Sequence, residues 1–348
     1  MKQQRSSTQG RSAATTNTRS KGEAREGAGG ASQRGEFTLL GQRFGSLQAV
    51  HDWVAAESAT PGSTVPHEPV LRVGLTAGSL LTGVEQTTWN HYNPGQKLII
   101  EGKGATVSGF RGSRPAPGFF LSYRPIIGEG STASAPAAAN FELRGLTIRG
   151  FESGGVEISP QTAAGKDHRY DGGETAFLSG AVISDNRFED LGSLHSKNAD
   201  WATQRYGVGG VLARGLQGSQ ITHNRFENLE NGAVKGTPVG ERLIHAVYLR
   251  DASSNNLVSD NTFAHVSGDP VRVSDASNDN RIEGNRSRDA GVATMVSEFY
   301  NPTAGEKDST GNREKMQGNK VGSLYGRGKK AVPYKETVSK GKRPALAD

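Results

Sequence analysis

One phrase recurs along the chain and limits what it can fold into: two or three β-forming residues, a small polar pair, an asparagine and then usually an aromatic residue. It reads Ala181-Val-Ile-Ser-Asp-Asn186-Arg-Phe188, Gln220-Ile-Thr-His-Asn224-Arg-Phe226, Leu257-Val-Ser-Asp-Asn261-Thr-Phe263 and Arg281-Ile-Glu-Gly-Asn285, with a weaker copy at Met316-Gln-Gly-Asn319. Such self-similarity marks a stacked solenoid. Asn261 and Asn285 are 24 residues apart, while the steps from Asn186 to Asn224 and from Asn224 to Asn261 are 38 and 37. The longer steps carry insertions of about a dozen residues, which a solenoid places in loops on one side.

A second strand type lies between these phrases: Gly155-Val156-Glu157-Ile158, Gly210-Val211-Leu212-Ala213-Arg214, Ala246-Val247-Tyr248-Leu249-Arg250 and Pro270-Val271-Arg272-Val273-Ser274. Apolar residues alternate with period two, as in strands with one buried face. Equivalent phrases return in the same direction after a whole coil, which demands parallel stacking rather than hairpins. The expected fold is therefore an all-β, right-handed parallel β-helix. Asparagines at one turn position can hydrogen-bond their copies above and below, and Phe188, Phe226 and Phe263 should stack inside.

The N-terminal part fits the same plan. Ser46 is a plausible N-cap, and Leu47, Val50, Trp53 and Val54 form a helical apolar stripe, so residues 46–58 should form a helix that covers the open end of the solenoid. Val70 to Val73, Lys97 to Ile100 with Ala105 to Phe110, Phe119 to Leu121 and Phe141 to Ile148 read as the first coils. The expected organisation is a disordered leader (1–36), a β-helix domain (37–325) and a basic disordered tail (326–348).

Composition agrees with a turn-rich chain: 47 of 348 residues are glycine and only 33% are hydrophobic, which suits many tight turns better than long helices. With no cysteine, disulfides and thiolate zinc sites are excluded. No stretch approaches the apolar length of a membrane span, and the first 35 residues lack the apolar centre of a secretory signal. The chain is thus expected either to be cytoplasmic or to have been trimmed of its signal. A net charge of +6 and a pI of about 9.4 would draw a polyanion. Much of the surplus lies in the tails, including Tyr325 to Arg343. The charge is diffuse and no nucleic-acid module is recognisable, so nucleic acid is not an expected partner, and neither is a membrane.

The Asn-punctuated coils, together with Leu98-Ile-Ile-Glu-Gly-Lys-Gly-Ala-Thr-Val107, resemble the pectin-lyase-like superfamily of carbohydrate-active β-helices over roughly residues 37–325. The resemblance implies an extracellular protein acting on, or binding, a polysaccharide. It specifies scaffold better than reaction, since the superfamily holds lyases, hydrolases, epimerases and phage tailspikes. The paired-Asp signature of polygalacturonase-like hydrolases is missing. So are the Tyr-Gly-x-Asp-Pro-His phrase of alginate epimerases and the Lys-Ser-Ser and Arg-His-Gly phrases of chondroitinase-B-like lyases. No family's catalytic set can be carried over. Nor does the resemblance settle the monomer or trimer state.

The residues themselves suggest a site. The coils starting at Ile244 and Gly268 align at a 24-residue offset. Val247 then lies on Val271 and Leu249 on Val273 in the core, with Tyr248 on Arg272 and Arg250 on Ser274 outside, rungs about 4.8 Å apart. His245 should leave the core beside Asp269, which would orient it and raise its basicity. Leu212 and Arg214 occupy the outward positions one coil earlier, with Glu157 beyond. Insertions at 160–178 and 192–206 carry Lys166, His168, Arg169, Tyr170, His195, Lys197, Trp201, Arg205 and Tyr206, a mixture of aromatic platforms and cations suited to a charged sugar chain.

These parts fit β-elimination on a uronic acid. Arginine neutralises the carboxylate and acidifies the C5 proton, and His245 or Tyr248 takes that proton while the other protonates the leaving oxygen. The expected catalytic set is His245, Tyr248, Arg272 and Asp269, with Arg250, Arg214, Lys235, Tyr206, Trp201 and His168 binding substrate. Lys235 is an alternative base if burial neutralises its amine. Plainer readings stand beside these: solvated strand residues for Tyr248 and Arg272, pairing of Arg250 and Arg214 with an acid such as Asp251, a structural turn contact for His245 and Asp269, and surface roles for Glu157 and the loop residues. Two further functions stay open. Asp251 and Asp275 stack and could serve a glycoside hydrolase or epimerase, although both look like turn-capping aspartates; alternatively the chain is a non-catalytic glycan binder or spike. Calcium is the one cofactor these carboxylates could hold, without a calcium-loop motif to support it.

Overall fold

The computed structural model describes residues 35–127, 131–166, 176–194, 200, 206–236, 240–300 and 315–338, without the side chains of 299–300 and 334–338. The strands stack as a parallel solenoid. One sheet consists of Thr87–Trp89, Phe119–Tyr123, Gly154–Ile158, Gly209–Arg214, His245–Arg250, Val271–Ser274, Thr294–Tyr300 and Val332–Val338, all parallel and ordered along the sheet as along the chain. We call it the site sheet. A larger sheet takes single long strands, Lys97–Ser108 and Phe141–Arg149, from the early coils and, from Val182 on, two short strands on either side of the repeated asparagine, such as Gln220–Thr222 and Arg225–Leu229. A small third sheet of Ala137–Ala138, Leu178–Ser179 and Leu216–Gln217 closes the section.

The asparagine turn explains the recurring phrase. The residue before each asparagine is left-handed: Asp185 (φ 58°), His223 (φ 57°), Asp260 (φ 55°), Gly284 (φ 67°) and Gly318 (φ 68°). Asp, His and Gly tolerate that region better than bulkier residues. The asparagine then turns inward, where its Nδ2 donates to the next Oδ1: Asn186 to Asn224 at 3.1 Å, Asn224 to Asn261 at 3.1 Å, Asn261 to Asn285 at 3.0 Å and Asn285 to Asn319 at 3.1 Å. Each Oδ1 also accepts the backbone N–H of the asparagine one rung earlier, at 2.9–3.0 Å. A second, shorter ladder, Asn256 to Asn280 at 3.0 Å with Ser253 N–H bonded to the Ser277 hydroxyl at 3.0 Å, was not anticipated.

Phe188, Phe226 and Phe263 are buried and stacked as expected, with ring centroids 4.8 Å apart at 6° and then 5.5 Å apart at 36°. Across the core, glycine makes room for them. A Cβ on Gly155 would lie 2.4 Å from the Phe188 ring, and one on Gly210 would lie 2.7 Å from the Phe226 ring. These phenylalanines belong to one continuous apolar core that also takes in the N-terminal helix.

That helix, Leu47–Ser58, is capped by Ser46, whose hydroxyl accepts the Ala49 N–H at 3.1 Å. Leu47, Val50 and Val54 are buried. Trp53, expected on the buried stripe, is only half-buried against Phe44, and His51 is buried instead, packed edge-on to Trp89 at 5.3 Å. An antiparallel hairpin, Phe37–Leu39 and Gln42–Phe44, precedes it and pairs with Val70–Leu75. At the other end one expectation is corrected. Val332–Val338 extends the site sheet, with Val332 on Thr294 and Thr337 on Phe299, so the stack runs past residue 325 into the segment expected to be a disordered tail. The alternating Val332, Tyr334 and Glu336 positions find strand partners, and pairing outweighs the local basic, Pro- and Gly-bearing composition. Residues 1–34 of the expected leader and 339–348 lie outside the described residues. No helix among the described residues is long and apolar enough to cross a membrane.

Candidate functional site

The register on the site sheet is the expected one. Val247 pairs with Val271, Tyr248 with Arg272 and Leu249 with Val273; Leu212 pairs with Tyr248 and Arg214 with Arg250; Glu157 pairs with Leu212. One outward column therefore runs Ser122, Glu157, Leu212, Tyr248, Arg272, Ser297. Within it Ser122, Leu212 and Ser297 are 1–2% exposed, while Glu157, Tyr248 and Arg272 are half-buried. Tyr206 lies close enough to Tyr248, Arg250 and Arg214 for their charges to act on its phenol, which burial pushes above its ordinary pKa.

A continuous polar chain crosses this face. Ser122 Oγ donates to Glu157 at 2.9 Å. Arg214 lies 4.0 Å from Glu157 and 2.7 Å from Asp251. Arg250 Nε lies 3.0 Å from Asp251 and 3.1 Å from Asp275, ion pairs without hydrogen-bond alignment at that nitrogen. Ser274 Oγ then donates to Asp275 at 2.8 Å. Since its single hydrogen is spent there, the 3.2 Å contact between Tyr248 and Ser274 has the tyrosine as donor. Burial alone would lower the pKa of Arg250, but Tyr248, Asp251, Asp275 and Tyr206 outweigh it and fix the guanidinium charge. Arg250 also lies over the Tyr248 ring at 5.6 Å.

This chain revises several expectations. Asp251 and Asp275 are left-handed turn residues (φ 52° and 55°), but their carboxylates face arginines. Arg214 and Arg250 are accordingly held by internal acids, the plainer of their two readings, rather than offered to a substrate carboxylate. Arg250 pairs with both of the aspartates that a calcium ion would bridge. Among the described residues, no group of three or more His, Asp or Glu side chains is arranged to hold a metal.

His245 and Asp269 differ more. Both are buried rather than leaving the core. His245 Nδ1 meets the backbone carbonyl of Asp269 at 2.7 Å, not its carboxylate. A carbonyl only accepts, so Nδ1 carries the hydrogen and Nε2 the lone pair of the neutral ring. The Asp269 carboxylate points away and accepts the N–H groups of Val292, Ala293 and Thr294 at 2.9, 3.2 and 3.3 Å. Burial, and then Arg272, push His245 down to a pKa of about 4, against the weaker upward pull of Asp269. Its basicity falls instead of rising. The ring packs edge-on to Tyr248 at 5.2 Å.

Arg272 donates to Ser297 Oγ at 3.1 Å. Lys235 is 84% exposed with Asp200 at 3.9 Å, so it lacks the dry surroundings that a neutral amine base requires. Trp201 and His168 lie outside the described residues, as do Arg169, Tyr170, His195, Lys197 and Arg205. Ser274 and Ser297 join the site without having been singled out as members, and Asp275 joins it in a role other than that of a hydrolase carboxylate or calcium ligand; the 24-residue offset already placed Ser274 outside, but nothing in the spacing announced its bond to Asp275.

Residues 136–331, more than half of the chain, match the family model described as a right-handed beta helix region. The chain belongs to the right-handed β-helix family. No curated protein and no solved structure matches it. The family fixes the handedness of the coil, and the reaction has to be argued from the site.

Proposed function

We propose that this β-helix protein is a polysaccharide lyase that cleaves a uronate-containing glycan by β-elimination on the outer face of the site sheet. The observation that carries the reading is the relay from the Tyr248 hydroxyl through Ser274 to Asp275. It gives the phenol a route for its proton and a hydrogen-bonded resting place, the arrangement a general acid–base group needs. Arg272, one rung below Tyr248, is the cation placed to meet the substrate carboxylate and favour loss of the C5 proton. In the step itself Tyr248 first passes its own proton through Ser274 to the Asp275 carboxylate, the phenolate takes the C5–H proton, the C4–O4 bond breaks as the C4–C5 double bond forms, and the O4 leaving group takes that proton from the tyrosine, whose phenol is restored by the proton returning from Asp275. His245, whose basicity burial and Arg272 lower, packs edge-on to Tyr248 and supports that ring rather than abstracting the C5 proton.

Asp269 supports the turn under this site, and Tyr206 walls it beside Arg250. A hydrolase reading is weaker because Asp251 and Asp275 share Arg250, leaving neither arranged as a proton donor. The Asn-punctuated likeness to pectin-lyase-like proteins supports a glycan substrate, and with it an extracellular setting.

The test is incubation with pectate, alginate, glucuronan, chondroitin and heparan types, with and without Ca²⁺, while following the ultraviolet absorbance of the unsaturated uronate that only elimination creates. The expected result is a rise that Tyr248→Phe and Arg272→Ala abolish and Ser274→Ala reduces. Reducing ends without that absorbance would replace elimination with hydrolysis, and binding without either product would make the face a glycan-binding surface.

A further inference from the structure

The larger sheet carries a second face whose charge changes along the solenoid. In the column Thr147, Arg187, Arg225, Thr262, Arg286, Lys320 the early arginines have acidic neighbours two residues on. Arg187 lies 2.7 Å from Glu189 and 3.1 Å from Glu227, and Arg225 lies 2.8 Å from Glu227. The acidic column then stops. Glu189 and Glu227 are followed by Ala264 and Arg288, so the position that would neutralise Arg286 holds another arginine. Arg286, Arg288, Lys315 and Lys320 are all exposed and make no ion pair with any described residue. Lys315 stacks on Arg281 and Lys320 on Arg286.

We propose that this face of the last coils is a binding surface for an acidic polysaccharide, separate from the site sheet. Lysines on an outermost strand also discourage edge-to-edge pairing, which accounts for Lys315 and Lys320 but not for Arg286 and Arg288, one rung inside. Cations repeat here at the rung spacing of about 4.8 Å on a rigid, flat surface. That suits an extended polymer bearing one carboxylate per sugar. Single-stranded nucleic acid is disfavoured because the outward residues of these strands include no Phe, Tyr or Trp platform and their one half-exposed aromatic ring, His265, is held by Asp289 at 2.6 Å, and a broad flat sheet does not enter a duplex groove. The choice of glycan among polyanions rests in part on the function proposed above; the cationic face does not.

The test uses the full chain carrying Tyr248→Phe, so that no turnover interferes, with polygalacturonate as probe and duplex DNA and phosphatidylserine vesicles as competing arms. Adding Arg286→Ser, Arg288→Ser and Lys320→Ser together should weaken polygalacturonate binding by about tenfold or more and flatten its salt dependence. Circular dichroism and the thermal midpoint should stay unchanged, because all three side chains are exposed. Polygalacturonate binding within about twofold of the parent, or tighter binding of DNA or vesicles through the same three residues, overturns the proposal. A chain that never eliminates uronate yet loses binding in the triple variant refutes the proposed reaction and keeps this surface.

Discussion

Replacing Asn224 with alanine removes the centre of the asparagine ladder, and its cost follows from what is left behind. Asn224 Oδ1 accepts the Asn186 backbone N–H at 3.0 Å, and its Nδ2 donates to the Ile183 carbonyl at 2.9 Å. All of these groups are buried. The neighbouring side chains keep other partners, since Asn186 Nδ2 still reaches the Leu143 carbonyl and Asn261 Oδ1 still accepts the Asn224 N–H. Two backbone groups therefore lose a partner where water cannot replace it, at about 1–3 kcal/mol each. A loss of about 2–6 kcal/mol is expected, a large share of the roughly 5–15 kcal/mol that holds a domain folded. Asn319→Ala is the control. It ends the ladder and is half-exposed, so water can take over its bonds and the cost should stay near or below about 1 kcal/mol. Urea unfolding followed by both circular dichroism and tryptophan fluorescence would measure the two, the second probe being needed because solenoids can unfold stepwise. Equal costs for the two variants would refute the argument that burial of the ladder is what makes it stabilising.

Two further outcomes follow. His245 has a folded pKa of about 4 against 6.5 when unfolded, so as pH falls through that window the unfolded chain takes up a proton that the folded chain refuses. Stability should be full above the window and fall by about 3 kcal/mol across it; urea midpoints at pH 7.5 and 4.5 would read this, and His245→Asn, which keeps a donor for the Asp269 carbonyl, should shrink the difference. Phe226→Ala opens a cavity between Phe188 and Phe263 and should cost about 3–5 kcal/mol in the same urea assay, whereas a loss below about 1 kcal/mol would mean that the rings do not stack as described.

The repeated phrase was enough to determine the coil, because a period-two strand and an inward asparagine each have one way to face the core. The same regularity placed Val247 on Val271 and Tyr248 on Arg272, and a serine just ahead of a helical apolar stripe identified Ser46 as the helix cap. Legibility failed where the chain leaves the strand. At Asp251 and Asp275 a positive φ breaks the alternation that tells inside from outside, so only the folded turns decide that these carboxylates meet Arg214 and Arg250. Asp269 likewise turns its carboxylate to three N–H groups more than twenty residues away, and no local pattern encodes that choice. Val332–Val338 has little strand signal of its own and becomes a strand because Thr294–Tyr300 offers an unpaired edge. Sequence periodicity thus determined which residues share a rung, and the tertiary structure decided which charges meet across rungs, because that depends on turn dihedrals and on burial contributed by distant coils.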